Sequence, residues 1–197
     1  AFDTLAFNVA VFDQKIKGFQ SNIFTGTGFA LANAGEQSTQ GLEFDATWNA
    51  TRNLTLGLAG TFLDPVYDSF PDSASGDISG QKPFSISEVS TSASAVYTFN
   101  FEGLDAFVRG DWQYEGPATY FDDPADQALI GDEREFSLFN ASLGFQSDSG
   151  ISVLFWGRNI FDEQYISVAF PTTAQAGSLS GYPNQPATYG VTVRKAF

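Results

Sequence analysis

"TYGVTVRKAF", residues 188–197, places Tyr189, Val191, Val193 and Phe197 at alternate positions, with Gly190, Thr192, Arg194 and Ala196 between them. Side chains of a β-strand point alternately to its two faces, so this stretch has one apolar face and one more polar face. Terminal residues are poorly ordered unless something ties them down. An apolar stripe that runs to the last residue therefore needs a strand at its edge and an apolar medium against its face. Lys195 interrupts the stripe, but a lysine near water can lay its stem along an apolar surface and carry its amine outward.

The same alternation recurs along the chain, and helical periodicity is almost absent. In residues 4–12, Leu5, Phe7, Val9 and Val11 share one face. Leu42, Phe44, Ala46 and Trp48 do so in 40–50, opposite Glu43, Asp45, Thr47 and Asn49. Leu54, Leu56, Leu58 and Phe62 align in 53–62, and Val89, Ala93, Ala95, Tyr97 and Phe99 in 89–99. Leu104, Ala106, Val108, Trp112 and Tyr114 oppose Asp105, Arg109, Asp111, Gln113 and Glu115. Phe139, Ala141, Leu143 and Phe145 align before a stretch at 151–161 that is apolar on both sides, so its register stays open. With 188–197 this makes about eight strands.

The connections between them decide the architecture. Residues 51–52, 101–103 and 147–150 are short links, whereas 22–34, 65–83, 117–133 and 165–186 are long and polar. Short and long alternate, so an up-and-down antiparallel sheet would gather its tight turns at one end and its large loops at the other. Long unstructured loops are uncommon in compact domains, but transmembrane β-barrels have this asymmetry, with short periplasmic turns and long extracellular loops. The apolar faces carry aromatics near both ends: Trp48, Tyr97, Phe99 and Phe145 by the short turns, Trp112 and Tyr114 by the long loops. Such rings suit the two membrane–water interfaces. The expected fold is an all-β antiparallel transmembrane barrel wall, with the C-terminus on the periplasmic side. A soluble β-sandwich would bury the same aromatics in a core but would not account for the loop asymmetry.

Composition narrows the chemistry. The 197 residues include 21 Phe, 7 Tyr, 3 Trp and 19 Gly, and carry a net charge of −14 with no Cys, His or Met. Without Cys there are no disulfides or thiolate sites. Without His the commonest general base and zinc ligand are missing, and no Ser-His centre can form. Twenty-three acids against nine bases exclude phosphate binding through a basic face, so nucleic acid is not an expected partner. No cofactor, metal or catalytic residue is expected. The first residues, "AFDTLAFNVAVF", read as the middle of a strand rather than a signal peptide, which suggests a fragment or a mature segment.

Two stretches narrow the family. One runs from Asn33-Ala34-Gly35 through Gly41-Leu42-Glu43 to Tyr67. The other holds Asn159-Ile160-Phe161-Asp162 with Tyr165, followed by a loop and the terminal strand. Together with the terminal phenylalanine they resemble the C-terminal part of TonB-dependent outer-membrane receptors. The resemblance covers most of the chain. It implies that residues 1–197 form about the last eight strands of a 22-stranded barrel, with the plug domain and earlier strands elsewhere. It also implies a bacterial outer-membrane location, contacts with lipid and lipopolysaccharide, and uptake of a scarce small solute (siderophore-iron, cobalamin or carbohydrate) driven through TonB. The terminal signature Tyr189, Val191, Val193 and Phe197 would then be a barrel-closing and assembly mark. A complete eight-stranded barrel with a structural, adhesive or passive-pore role, and a soluble carbohydrate-binding domain, stand as alternatives.

Two groups are candidate functional residues. Glu43, Asp45, Arg109, Asp111 and Glu115 fall on the polar face and would line the lumen, against the plug or the solute path. Tyr67, Phe70, Tyr120, Phe121 and Tyr182 sit in the long loops, where exposed rings would stack on a flat or sugar-like solute. Asp122, Asp123 and Asp126 share one loop, but their spacing is not that of an EF-hand.

Overall fold

The alternation becomes one antiparallel sheet. In a computed structural model, residues 4–24, 29–73, 75–172 and 174–196 are described, with side chains for all of these except 21–24, 29 and 32–34. In chain order the elements are β1 (Leu5–Phe24), β2 (Phe29–Asn49), β3 (Leu54–Ser69), β4 (Val89–Phe101), β5 (Leu104–Ala118), α1 (Pro124–Ile130), β6 (Arg134–Gln146), β7 (Ile151–Arg158), β8 (Ile166–Pro171), β9 (Leu179–Pro183) and β10 (Thr188–Lys195). Strands β1 to β7 pair each with the next, and β10 closes the series against β7. β8 and β9 form a separate hairpin inside the last long loop. Among the described residues β1 and β10 are the two ends of the sheet and do not pair with each other, so the wall is open.

Register fixes the two faces. One row reads Leu54, Tyr97, Val108, Leu143, Phe155 and Val191 across β3, β4, β5, β6, β7 and β10. Its members stand on the same side as Phe7, Val9 and Val11 of β1, which are 58%, 57% and 80% exposed with no second layer over them. A soluble sandwich would cover this face; here it is left for lipid. The register also settles 151–158: Ile151, Val153 and Phe155 face outward with Lys195, Val193 and Val191, and Ser152, Leu154 and Trp156 face inward with Arg194, Thr192 and Gly190.

The outward apolar face stops along a line. Beyond Val11, Leu42 and Phe62 the same face continues as Asp13, Gln40 and Asp64, with Gln40 donating to Asp13 at 3.3 Å. On β5 and β6 the line falls where Trp112 donates its indole N–H to Ser137 at 2.7 Å and Tyr114 donates to Glu135 at 2.7 Å. Rings with a polar tip are suited to such a boundary. At the short-turn end Tyr97 stacks near Phe99, and Phe101 meets Phe145. Lys195 donates to the carbonyl of Ser149 in the turn at 147–150, so its amine reaches the polar edge as expected.

Several expected loops are ordered structure instead. Residues 22–24 and 29–34, read from polarity as loop, continue the ladder of β1 and β2. Lys15 bridges Glu36 at 2.8 Å and Asp68 at 3.3 Å there, and Lys17 reaches Glu36 at 3.5 Å. Above the membrane both faces of a strand meet water, so a polar sequence is compatible with a strand. A register shift around Gly18, at φ +64°, lets the long hairpin bend. Pro65 lies within β3 rather than in a loop, and the stretch 117–133 contains α1. The Asn33 and Ala34 side chains and the whole of Phe197 lie outside the described set.

Candidate functional site

The inward face gathers the polar candidates in four successive rows. Glu43 and Glu115 share one row with Ala10, Thr61, Ser90 and Phe136. Asp45 lies in the next, opposite Asn8, whose amide donates to it at 2.9 Å. Asp111 follows, beside Ser94 and Asn140, and Arg109 lies in the fourth with Ser142 and Trp156. All five predicted lumen residues therefore point to the same side.

Their partners differ. Arg109 forks onto Asp111 two positions along the same strand, with N–O distances of 3.0, 2.8 and 2.6 Å. Both side chains are a third to a half exposed, so the pair contributes at most about 1 kcal/mol. Glu115 binds Arg134, which also donates to the Ser85 carbonyl at 3.2 Å. Glu43 has no ion pair among the described residues. Sequence reading passed over Trp156 and Arg158, because the doubly apolar stretch hid which side they take. Arg158 stands 5.4 Å from the centre of the Trp156 ring, and Trp156 donates to Thr192 at 3.3 Å.

The outer loops divide the five aromatic candidates. Tyr67 and Phe70 are 4% and 1% exposed, packed with Ile78 and Phe19 into a small apolar core above the sheet. Tyr67 and Phe70 meet edge-on at 5.3 Å, and the Tyr67 hydroxyl lies near Asp122. Tyr120 is buried too, donating to the Ile166 carbonyl at 2.8 Å. The expectation that these three are exposed is thus corrected: a long loop above a membrane is held by its own rings. Phe121 is half-buried beside Tyr120, and Tyr182, 64% exposed, pairs with Phe170 at 5.6 Å on the β8–β9 hairpin.

The acidic loop has structural duties. Asp123 caps α1 by accepting from the Ala125 N–H at 2.8 Å. Asp122 accepts from the Phe84 N–H at 3.3 Å, tying two loops together, and burial raises its pKa above the ordinary aspartate range. Among the described residues no group of three or more acidic side chains is placed to hold a metal ion.

Asn159, 6% exposed, is the anchor of the last loop. Its amide donates to the carbonyls of Glu163 and Gln185 at 2.9 and 3.0 Å and accepts from the Glu163 N–H at 2.9 Å, while its own N–H reaches Asn140 at 3.0 Å. Asp162 accepts from the Ala187 N–H at 2.8 Å. The Asn-Ile-Phe-Asp stretch is thus a corner joining the top of β7 to the start of β10.

This wall, apolar outside and polar inside with short turns below and built loops above, was compared with known proteins. A family model described as TonB dependent receptor-like, beta-barrel matches residues 1–160. The chain belongs to the TonB-dependent receptor β-barrel family. The family's barrels stand in the outer membrane of Gram-negative bacteria, which agrees with the lipid-facing surface. No curated protein matches by sequence. Among solved structures, the ferric yersiniabactin uptake receptor FyuA of Yersinia pestis aligns with a TM-score of 0.78 at 17% identity, covering 98% of this chain and 28% of that one. The ferric-catecholate import receptor Fiu of E. coli gives 0.69 at 17% identity, covering 96% and 25%. The ferric preacinetobactin receptor BauA of Acinetobacter baumannii gives 0.67 at 15% identity, covering 98% and 27%. The chain spans about a quarter of the length of these receptors, and the likeness is one of fold.

Proposed function

We propose that this chain is the C-terminal portion of the barrel of a receptor that imports a scarce solute across the outer membrane with energy delivered through TonB. Residues 1–197 supply about eight strands of a larger barrel; a plug domain, the TonB-contacting segment and the remaining strands belong to the rest of the protein. The observation that carries the reading is the family match over 160 of 197 residues on a wall with one lipid-facing and one polar side. The open ends at β1 and β10 support a portion of a large barrel over a closed eight-stranded one. Siderophore-bound iron is the solute class favoured, because the structural neighbours are receptors for such complexes. Within the chain, the exposed pair Phe170 and Tyr182, with Phe121, would meet the solute, while Tyr67, Phe70 and Tyr120 hold the loops in shape. Glu43, Asp45, Arg109, Asp111 and Glu115 would face the plug or the solute path, and the outer surface would contact lipid and lipopolysaccharide. The role is transport, with no catalytic step.

The test is uptake of labelled ferric siderophores by iron-starved cells carrying or lacking the full-length gene, with and without functional TonB. Gene- and TonB-dependent accumulation of one complex is expected. Growth and uptake indifferent to the gene for every siderophore tried would remove the siderophore assignment. Uptake that needs the gene but not TonB would remove the energy coupling.

A further inference from the structure

Charge is spread unevenly along the chain. The stretches that stand above the apolar line, 13–40, 64–88, 115–137 and 158–187, hold sixteen of the twenty-three acidic residues and five of the nine basic ones, so most of the net charge of −14 lies there. Four of those five bases are already matched. Lys15 bridges Glu36 and Asp68, Lys17 reaches Glu36, Lys82 meets Asp64 and Glu88, and Arg134 holds Glu115. The fifth, Arg158, rests against the Trp156 ring at the end of β7, where the last loop begins. Several acids are left over: Asp72, Asp132 and Glu133 are exposed and form no ion pair among the described residues. Asp132, Glu133 and Glu135 line a depression of about 600 Å3 between the stretch 117–133 and the last loop, with Tyr120 and Tyr165 in its wall. The two most acidic stretches are tied to each other, since the Ser85 N–H donates to the Thr119 carbonyl at 2.8 Å and the Phe84 N–H to Asp122 at 3.3 Å. The carboxylates therefore stand as one fixed field over the wall.

We infer that the solute is a ferric complex without net negative charge, and that anionic complexes are turned away at these outer loops; this rests on the reading given under Proposed function. A surface of one sign raises the local concentration of an oppositely charged solute and lowers that of a like-charged one. An anionic complex approaching these loops meets lysines already held by carboxylates, and the single guanidinium of Arg158 does not reverse the field. A cationic group would meet unpaired carboxylates beside tyrosine rings, and both attract it. Iron chelation makes the distinction sharp. Three hydroxamates cancel the charge of Fe(III), whereas three catecholates leave the complex strongly anionic.

The experiment uses iron-starved cells carrying or lacking the full-length gene. Labelled iron is supplied on one linear tris-hydroxamate whose terminal amine is free, acetylated or succinylated, which makes the complex cationic, neutral or anionic around the same iron centre. Ferric tris-catecholate serves as the polyanion. Gene-dependent uptake of the cationic and neutral forms should exceed that of the two anions by about fivefold or more at low ionic strength, and added salt should narrow the gap. D72N/D132N/E133Q should narrow it as well, with barrel assembly followed by heat-modifiable electrophoretic mobility. If that variant fails to assemble, D132N/E133Q carries the test. Preferred uptake of either anion, or uptake indifferent to charge, would overturn the inference and leave the import reading standing. An assembled variant that keeps the full gap would also overturn it, giving the selectivity to another part of the receptor. Where a different ferric complex proves to be the one imported, a negative net charge overturns the inference and a neutral or positive one supports it. Gene-dependent uptake of no ferric complex would overturn both.

Discussion

Asn159 shows how one side chain can hold a loop as large as 165–186 in place. It sits at φ +48°, a left-handed conformation that asparagine tolerates better than other side-chain-bearing residues. Replacing it by alanine removes three side-chain hydrogen bonds and keeps the backbone strain. The carbonyls of Glu163 and Gln185 would still accept from Asn184, at 2.8 and 3.2 Å, but the Glu163 N–H would lose its partner. Asn159→Ala should cost about 2–4 kcal/mol, and Asn159→Gly about 1 kcal/mol less because the strain is relieved. Denaturant midpoints of the full-length receptor in detergent would give both values, and equal midpoints for the three proteins would contradict the corner's role. Asp122 offers a pH-dependent counterpart. Burial is the main cause of its raised pKa, opposed by the bonds from Phe84 and Tyr67. A carboxyl whose folded value exceeds its unfolded one supports docking fully below the ordinary aspartate range and loses that support as pH rises through the elevated value. Hydrogen exchange at the Phe84 amide, corrected for its intrinsic rate, should therefore speed up across that interval, and Asp122→Asn, uncharged throughout, should abolish the change.

Within the strands, glycines lie opposite large rings. A Cβ at Gly144 would stand 2.3 Å from Phe107, one at Gly41 2.3 Å from Phe12, and one at Gly60 2.5 Å from Phe44. Each glycine leaves the space that a neighbouring ring fills, so adjacent strands lock in one register. Gly144→Ala should cost about 1–3 kcal/mol by forcing the Phe107 ring aside. Adding Phe107→Ala should remove most of that increment, a coupling that a double-mutant cycle would read directly; additive costs would show that the pair does not interlock. These pairings were not legible in the sequence, which gives the glycines but not which ring lies across the ladder. The strands themselves were legible wherever one face meets lipid and the other water, because period-2 alternation survives there. It failed above the membrane, where 22–24 and 29–34 continue the β1–β2 ladder although the stretch 22–34 was read as one loop. It failed also at 151–158, where Leu154 and Trp156 are inward yet apolar, and so the Trp156–Arg158 contact stayed hidden. Loop aromatics misled for a related reason: polarity around Tyr67 and Phe70 indicated a solvated loop, while their burial depends on Phe19, about fifty positions away and on another strand.

At the scale of the whole molecule, the decisive feature is that the sheet has two unmatched ends. β1 (20 residues) and β10 (8 residues) are its edges among the described residues, and Leu5–Val11 of β1 and the strand β10 lie at the height of the apolar band. Unpaired strand edges in lipid cost several kcal/mol for each unsatisfied group. What counts in lipid is that both edges are open within the apolar band, which makes the segment alone an unfavourable membrane structure and fits the proposal that each edge meets another strand of a larger barrel. Purified residues 1–197, refolded in detergent, should therefore form oligomers through their edges, with strand-rich circular dichroism but no heat-modifiable monomer. The full-length receptor should show the compact heat-modifiable form. In that receptor, cysteines placed at Val191 or Val193 on the outward face of β10 should crosslink with cysteines at every second position of the first barrel strand, because a closed ladder keeps one register and alternates its faces. A monomeric, heat-modifiable barrel formed by the segment alone would contradict the argument, since β1 and β10 would then have to pair with one another.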